Sequence, residues 1–324
     1  MSQTISSGPG IRPLEEGSKA GYGRGAGLFR RQPSARVLGR LRALILLGGG
    51  VRSSEFVQAV RRSLLDLPID PMHSLLDLWQ AHAAMEVAYA GLPRLSMRII
   101  TNSVVPRPLP DAFRVAVSIE HDPYEMRGTG GLLRDIAEAY ADDDFIAVAN
   151  ANQILFEPLA HLLAGLEATG ADVSLAAQQQ GTSGDVLLAR CGSLRVIPRV
   201  GFIDLKEQAL PMIARHATVK VLHRPGQIAM PVRTCADYLS ALRAYHLRSS
   251  GDVQPDACVE DWQPVFRIVE AAAEVDPSAR VHDSVVLRGA RIERGAIVAR
   301  CVVCPGAIVR REQICVDRLL TADL

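Results

Sequence analysis

The sequence predicts an α/β protein, with a mostly parallel sheet covered by helices on both faces and then a short coil of parallel strands. Three observations carry this expectation. Short apolar runs alternate with helical runs through the middle of the chain, the pattern of strand-crossover-strand units. The first of those runs, ALILL, stops at Gly48, Gly49 and Gly50, as a buried parallel strand stops in a loop. The last part of the chain then abandons both the helical and the strand period for a repeat of six.

The elements follow in order. Residues 1 to 42 hold eight basic residues against Glu15 and Glu16, and eight of the 26 glycines. Without a sustained period this stretch cannot offset its ordering entropy by burial, so residues 1–41 are expected to be a disordered basic tail. The α/β domain is expected over residues 42–248. Its strands are read at ALILL, MRIIT, FRVAVSI, FIAVAN, ADVSLAA, DVLLAR and VKVLH. Its first long helix, SLLDLWQAHAAMEVAYAGL, spaces Leu75, Leu78, Trp79, Met85 and Tyr89 for one apolar face and closes at Gly91, with His82 expected as a packed histidine. Further helices are read at GLLRDIAEAY and around Phe156, Leu159, Leu162, Leu163 and Leu166. Residues 249–273 are expected as a linker. From 274 to 320 apolar residues recur every six positions: Val275, Val281, Leu287; Val286, Ile292, Val298; Val302, Ile308, Ile314. Glycine-alanine pairs beside them suit the corners of a three-sided prism of short strands. Such a coil has open ends, so a cap or self-association is expected.

Composition narrows the function classes. With 324 residues and 48% hydrophobic content the chain can bury a large core. Lys plus Arg number 36 against 35 Asp plus Glu, a net charge of +1, which gives no global field for nucleic acid or anionic membrane. No apolar run reaches the roughly 18 residues of a membrane span, and no signal-like segment opens the chain. Six Cys argue for reduced thiols, so a cytoplasmic protein is expected. Cys301 and Cys304, in CVVC, are read as apolar fillers and not as zinc ligands, since no second pair supplies the remaining ligands.

A strand stopped by three glycines and followed by Arg52 can also cradle phosphate, because side-chain-free backbone lets amides approach it and a guanidinium forks onto it. Taken with the six-residue coil, ALILLGGGVR resembles the opening strand and loop of the sugar nucleotidyltransferases, with Gly48, Gly49, Gly50 and Arg52 on the pattern. RRSLLDLP is similar to that family's next phosphate-side segment, with Arg62 in place of its lysine. MRGTGGLL resembles its nucleobase and ribose element through Gly128, Thr129, Gly130 and Gly131. FIAVANANQILFEPL, GADVSLAA, VGFIDLKEQALP and TCADYLSAL continue the likeness, which covers residues 43 to 318.

The resemblance implies a Rossmann-like nucleotidyltransferase domain followed by a short left-handed parallel β-helix of hexapeptide repeats. It implies as ligands a nucleoside triphosphate and a sugar-1-phosphate, with Mg²⁺ as cofactor. Gly48, Gly49, Gly50, Arg52, Arg62, Gly128, Thr129 and Gly131 would lie on the nucleotide side, and Gly201, Lys206 and Arg233 on the sugar-phosphate side. It also implies two metal-binding Asp, and this chain departs from the pattern at both: VANAN puts Asn152 at the first, and PVRTCADYL puts Pro231 at the second. Two readings stay open. One is an enzyme that makes a nucleotide sugar. The other is an inactive or regulatory relative that binds nucleotide or sugar phosphate and works as a homo-oligomer or beside an active homologue.

Overall fold

The computed structural model describes residues 37–48, 55–101, 104–122, 127–178, 183–249 and 264–322. The expected tail therefore lies largely outside the described residues. Its last part does not follow the expectation: Val37–Arg40 forms a 3₁₀ turn with Leu38 buried in the core.

The central sheet has seven strands: β1 (Leu41–Leu47), β2 (Leu95–Thr101), β3 (Val115–His121), β4 (Phe145–Asn150), β6 (Val173–Gln178), β7 (Ser183–Arg190) and β8 (Val219–Arg224). Their order is β3-β2-β1-β4-β7-β6-β8. All neighbours run parallel except β7, which is antiparallel to β4 and β6. Strands β5 (Gln153–Leu155) and β9 (Ala229–Pro231) form a separate antiparallel pair. Strand β1 is buried on both faces: Ala43 and Ile45 enter one core layer, Leu44 and Leu46 the other.

Among the described residues there are seven α-helices: α1 (Glu55–Val60), α2 (Leu75–Ala90), α3 (Gly128–Ala137), α4 (Leu159–Ala168), α5 (Cys191–Leu194), α6 (Leu210–Ile213) and α7 (Cys235–Ser249). Helix α2 opens with a capping box, in which the Ser74 hydroxyl accepts from Asp77 N–H and the Asp77 carboxylate accepts from Ser74 N–H. It closes on Gly91 in the left-handed region. Its buried face differs from the expected one. Met85 and Tyr89 are exposed, while Leu75, Leu76, Trp79, His82, Ala83, Glu86 and Val87 point inward. His82 and Glu86 are buried with no hydrogen-bond partner on either polar atom among the described residues.

The C-terminal region is a three-walled β-helix. One wall is β10 (Arg267–Val269), β13 (Ser284–Val286), β16 (Val302–Val303) and β19 (Leu319–Leu320). The second is β11 (Glu274–Val275), β14 (Arg291–Ile292) and β17 (Ile308–Val309), and the third is β12 (Arg280–His282), β15 (Ile297–Ala299) and β18 (Ile314–Val316). The coil begins at Arg267, inside the segment expected as linker; residues 250–263 of that segment lie outside the described ones.

The rungs are 17 residues apart: Val285 pairs with Val302, Ile292 with Val309, and Val298 with Cys315. The missing eighteenth residue is at one corner, turned by a single left-handed residue in each rung: Asp283, Arg300 and Asp317, at φ 44°, 51° and 53°. The strict six-residue series therefore slips. Val303, Val309 and Cys315 fill the prism, not Val302, Ile308 and Ile314. Val302 instead joins Val285 and Leu287 in the main core, while Ile308 and Ile314 are exposed. The first wall is thus buried on both sides, and it docks the coil onto the α/β domain.

Candidate functional site

In this sheet order β1 leads to β2 on one flank and β4 leads to β6 on the other, and in such sheets ligands sit in the crevice beyond the carboxyl ends of the strands. A cleft of about 350 Å³ lies there, lined by Leu47, Asn150, Thr129, Asp204, Lys206 and Arg233 among others, with apolar walls from Val148, Leu175 and Leu187. Five elements bring these residues together. Leu47 and Asn150 end β1 and β4, Thr129 opens α3, Asp204 and Lys206 begin the π turn Leu205–Ala209, and Arg233 follows β9.

Thr129 is held at the rim by its neighbours. Gly128 has φ 66°, and a Cβ there would meet the Ile203 carbonyl oxygen at 2.6 Å. Gly130 N–H donates to the same oxygen at 2.9 Å, so the start of α3 is tied to the loop segment leading into the π turn. Only glycine fits that approach. The other two glycines of the element do not face a base. A Cβ on Gly130 would meet Ala209, and one on Gly131 would meet the Arg127 side chain. Gly131, expected on the nucleotide side, therefore serves the packing of Arg127, whose guanidinium binds Asp135 and the Gly201 and Pro198 carbonyls. Gly201, expected on the sugar side, is in this exposed clasp and does not line the cleft.

Arg62 is also elsewhere. It is buried, and its two terminal nitrogens each meet a Glu270 oxygen at 2.7 Å in a bidentate pair. Glu270 belongs to the first rung of the β-helix and also accepts from Arg288 N–H. Burial works to raise the Glu270 carboxyl, but Arg62 and the Arg288 amide outweigh it and hold its pKa below the usual value. A guanidinium committed to this pair joins two regions of the chain; it does not line the cleft. Gly49, Gly50 and Arg52 lie outside the described residues. Gly48 follows the cleft residue Leu47 but is not itself in the lining; its N–H donates to the Ile100 carbonyl and its own carbonyl accepts from the Asn152 side-chain amide at 3.2 Å.

The two positions of the expected metal ligands are adjacent. Strand β5 pairs with β9 so that Gln153 is opposite Pro231, and Val232 N–H donates to the Asn152 carbonyl at 2.8 Å. The donor set there does not fit Mg²⁺, which favours charged oxygens in near-octahedral array. Asn152 directs its amide to Gly48, and its N–H is accepted by the Asn150 side-chain oxygen at 2.9 Å. Pro231 offers no side-chain donor. The carboxylate lining the cleft, Asp204, caps the π turn by accepting from Lys206 and Glu207 N–H. Among the described residues no group of three His, Cys, Asp or Glu could hold a metal ion. Cys301 and Cys304 are buried in and behind the coil, where burial lifts both thiols to about 11.

Sequence reasoning missed Asn150, Asp204 and the apolar walls. Asp204 was legible as a helix-capping residue in FIDLKEQ, but nothing in its spacing points to a cleft.

No protein-family model matches the chain, and no match is found among curated proteins. Among solved structures, the crystal structure of HddC from Yersinia pseudotuberculosis aligns over 63% of this chain and 100% of that one, at 13% identity and a TM-score of 0.43. No helix of the described residues is long and apolar enough to cross a membrane.

Proposed function

We propose that the chain is a nucleotidyltransferase-like protein that binds a nucleotide or sugar phosphate in the cleft beyond β1 and β4 without efficient Mg²⁺-dependent transfer. The observation that carries this reading is the pairing of Asn152 with the Pro231–Val232 segment, which puts two residues without a carboxylate where the resemblance expects both metal ligands. On the same reading it works beside a second copy or an active homologue, which sedimentation of the purified and co-expressed proteins tests.

Transfer itself is the second reading, favoured by Lys206 and Arg233 on the cleft wall, two cations able to neutralise phosphate. In that reaction an oxygen of a sugar-1-phosphate attacks the α-phosphorus of a nucleoside triphosphate. The bond to the β-phosphate oxygen breaks, and pyrophosphate leaves as the nucleotide sugar forms. A pyrophosphate-release assay over the four nucleoside triphosphates and several hexose-1-phosphates, with and without Mg²⁺, separates the two. The expected result is background release by the native chain beside measurable calorimetric binding. Robust native turnover would overturn the first reading, and turnover appearing only in Asn152→Asp/Pro231→Asp would support it.

A further inference from the structure

The turn that carries Leu205 and Lys206 to the cleft is one residue longer than an α turn requires. Given the proposed ligand-binding role of the cleft, on which this step rests, we infer that the added residue shapes the cleft wall and that Gln208 is the positioning residue that holds the π turn in place.

Three observations converge. First, both ends of the turn are fixed against one glycine. The Ile203 carbonyl accepts from Gly130 N–H at 2.9 Å, and a Cβ on Gly130 would meet the Ala209 Cβ at 2.8 Å. Between these points the backbone bonds reach one residue further than in an α-helix. Ala209 N–H donates to the Asp204 carbonyl at 2.9 Å and Leu210 N–H to the Leu205 carbonyl, while the α-type bond from Gln208 N–H to Asp204 is stretched to 3.3 Å.

Second, the cap is displaced with the ladder. The Asp204 carboxylate accepts from Lys206 and Glu207 N–H at 2.7 and 2.8 Å, as an N-cap does. In a capping box the returning arm belongs to the third residue after the cap, and Glu207 has both that position and a suitable side chain. The arm comes from the fourth residue instead: the Gln208 side-chain oxygen accepts from Asp204 N–H at 2.8 Å. The segment DLKE thus encodes an α-helical start that packing at Gly130 overrides.

Third, this is the one π turn among the described residues, and it is at the cleft. Successive side chains diverge by about 100° in an α turn and by less in the wider π turn, so Leu205 and Lys206 both reach one wall. Thr129, beside Gly130 on α3, lines the same space.

The test begins without ligand. Deleting Glu207 brings Gln208 to the third position after Asp204 and lets an α turn join the same fixed ends, so the shortened chain is expected to melt within about 3 °C of the native one or above it. Urea titration in about 0.5 M NaCl, which screens Glu207 from the helix dipole, should show Gln208→Ala lowering the folding equilibrium constant about fivefold and Glu207→Ala less than about twofold. Gln208→Glu keeps an acceptor for Asp204 N–H and should recover the loss. A deletion variant melting more than about 10 °C lower, or a larger loss in Glu207→Ala than in Gln208→Ala, would overturn the inference. Calorimetry with GTP and with glucose-1-phosphate in Mg²⁺ then reads the wall: the deletion variant should bind whichever probe the native chain takes about tenfold more weakly, and Gln208→Glu should bind it as the native chain does. Native affinity in the folded deletion variant would overturn the wall's role and leave the binding reading standing. Binding of neither probe by the native chain would overturn that reading and the wall's role with it.

Discussion

Two arginines that the sequence resemblance assigns to the ligand site, Arg62 on the nucleotide side and Arg233 on the sugar-phosphate side, end in different settings. At the seam between the α/β domain and the β-helix, Arg62 is buried and neutralised by Glu270, and Arg243 is held against Asp283, while beside the seam the Tyr238 hydroxyl donates to the Pro68 carbonyl and His246 meets the Ile69 carbonyl, tying α7 to its own domain. At the cleft, Arg233 is exposed and shares the wall with Lys206. The seam satisfies its charges inside the chain, as buried charge requires. The cleft spends its neutral amides on shaping a loop, and Lys206 and Arg233 line its wall. Chemistry follows what a side chain faces, and a motif alone does not fix that.

Breaking the seam should cost most. Arg62→Met leaves Glu270 half-buried and unpaired, and is expected to lower unfolding free energy by about 3–5 kcal/mol in urea titration. Ligand affinity, measured where the variant is still folded, should be unchanged; a loss of affinity at native stability would move Arg62 into the cleft. Arg62→Met/Glu270→Met should recover most of the cost.

A second effect of similar size is pH-dependent. Burial first, then the charge of Glu167, pushes the Glu86 carboxyl up to about 8. The folded chain keeps that proton through neutral pH, while the unfolded chain releases it near 4.5. The unfolded state therefore binds fewer protons, and stability must fall as pH rises from about 4.5 to about 8. Glu86→Gln should remove this slope and stabilise the protein by about 3 kcal/mol at pH 7 in chemical denaturation across pH. Burial lowers His82 to about 4, which adds a loss of stability as pH falls from about 6.5 to 4.

On the cleft side, Gly128→Ala meets both the Ile203 carbonyl and a positive φ, and should cost about 2 kcal/mol, displace Thr129 and weaken ligand binding. Calorimetry on the folded variant checks it, and unchanged affinity would remove Thr129 from the site. The smallest effect is in the coil. Glu312 turns the corner at φ 58° that Gly295 turns one rung earlier, so Glu312→Gly should stabilise by about 0.5–1 kcal/mol with no change in binding.

Much of the sheet was legible because parallel strands buried on both faces read as continuous apolar runs, and β1, β2, β4 and β8 lie where those runs predict. The reversed direction of β7 was not, since DVLLAR reads alike in either sense. Nor was the buried face of α2: Met85 and Tyr89 keep helical spacing yet face solvent, and the core accepts the polar His82 and Glu86 in their stead. The coil's existence was visible in its repeat, but its phase was not, because one corner takes a single residue and shifts every later inward position by one. At the site, Thr129, Lys206 and Arg233 do share a cleft, and Asn152 and Pro231 are neighbours. Arg62 was misplaced because a surface-looking arginine and a buried one leave the same letter in the chain, and its partner Glu270 is 208 residues away.

The seventeen-residue rung also limits how this chain can change length. Adding or removing one whole rung keeps the left-handed corners of the rungs in step with one another and the docking wall continuous. An insertion of one residue within a wall would turn Val285 or Val302 away from the domain it grips and expose the opposite set in its place. Insertions in relatives of this molecule are therefore expected as whole turns of the coil, or outside it altogether.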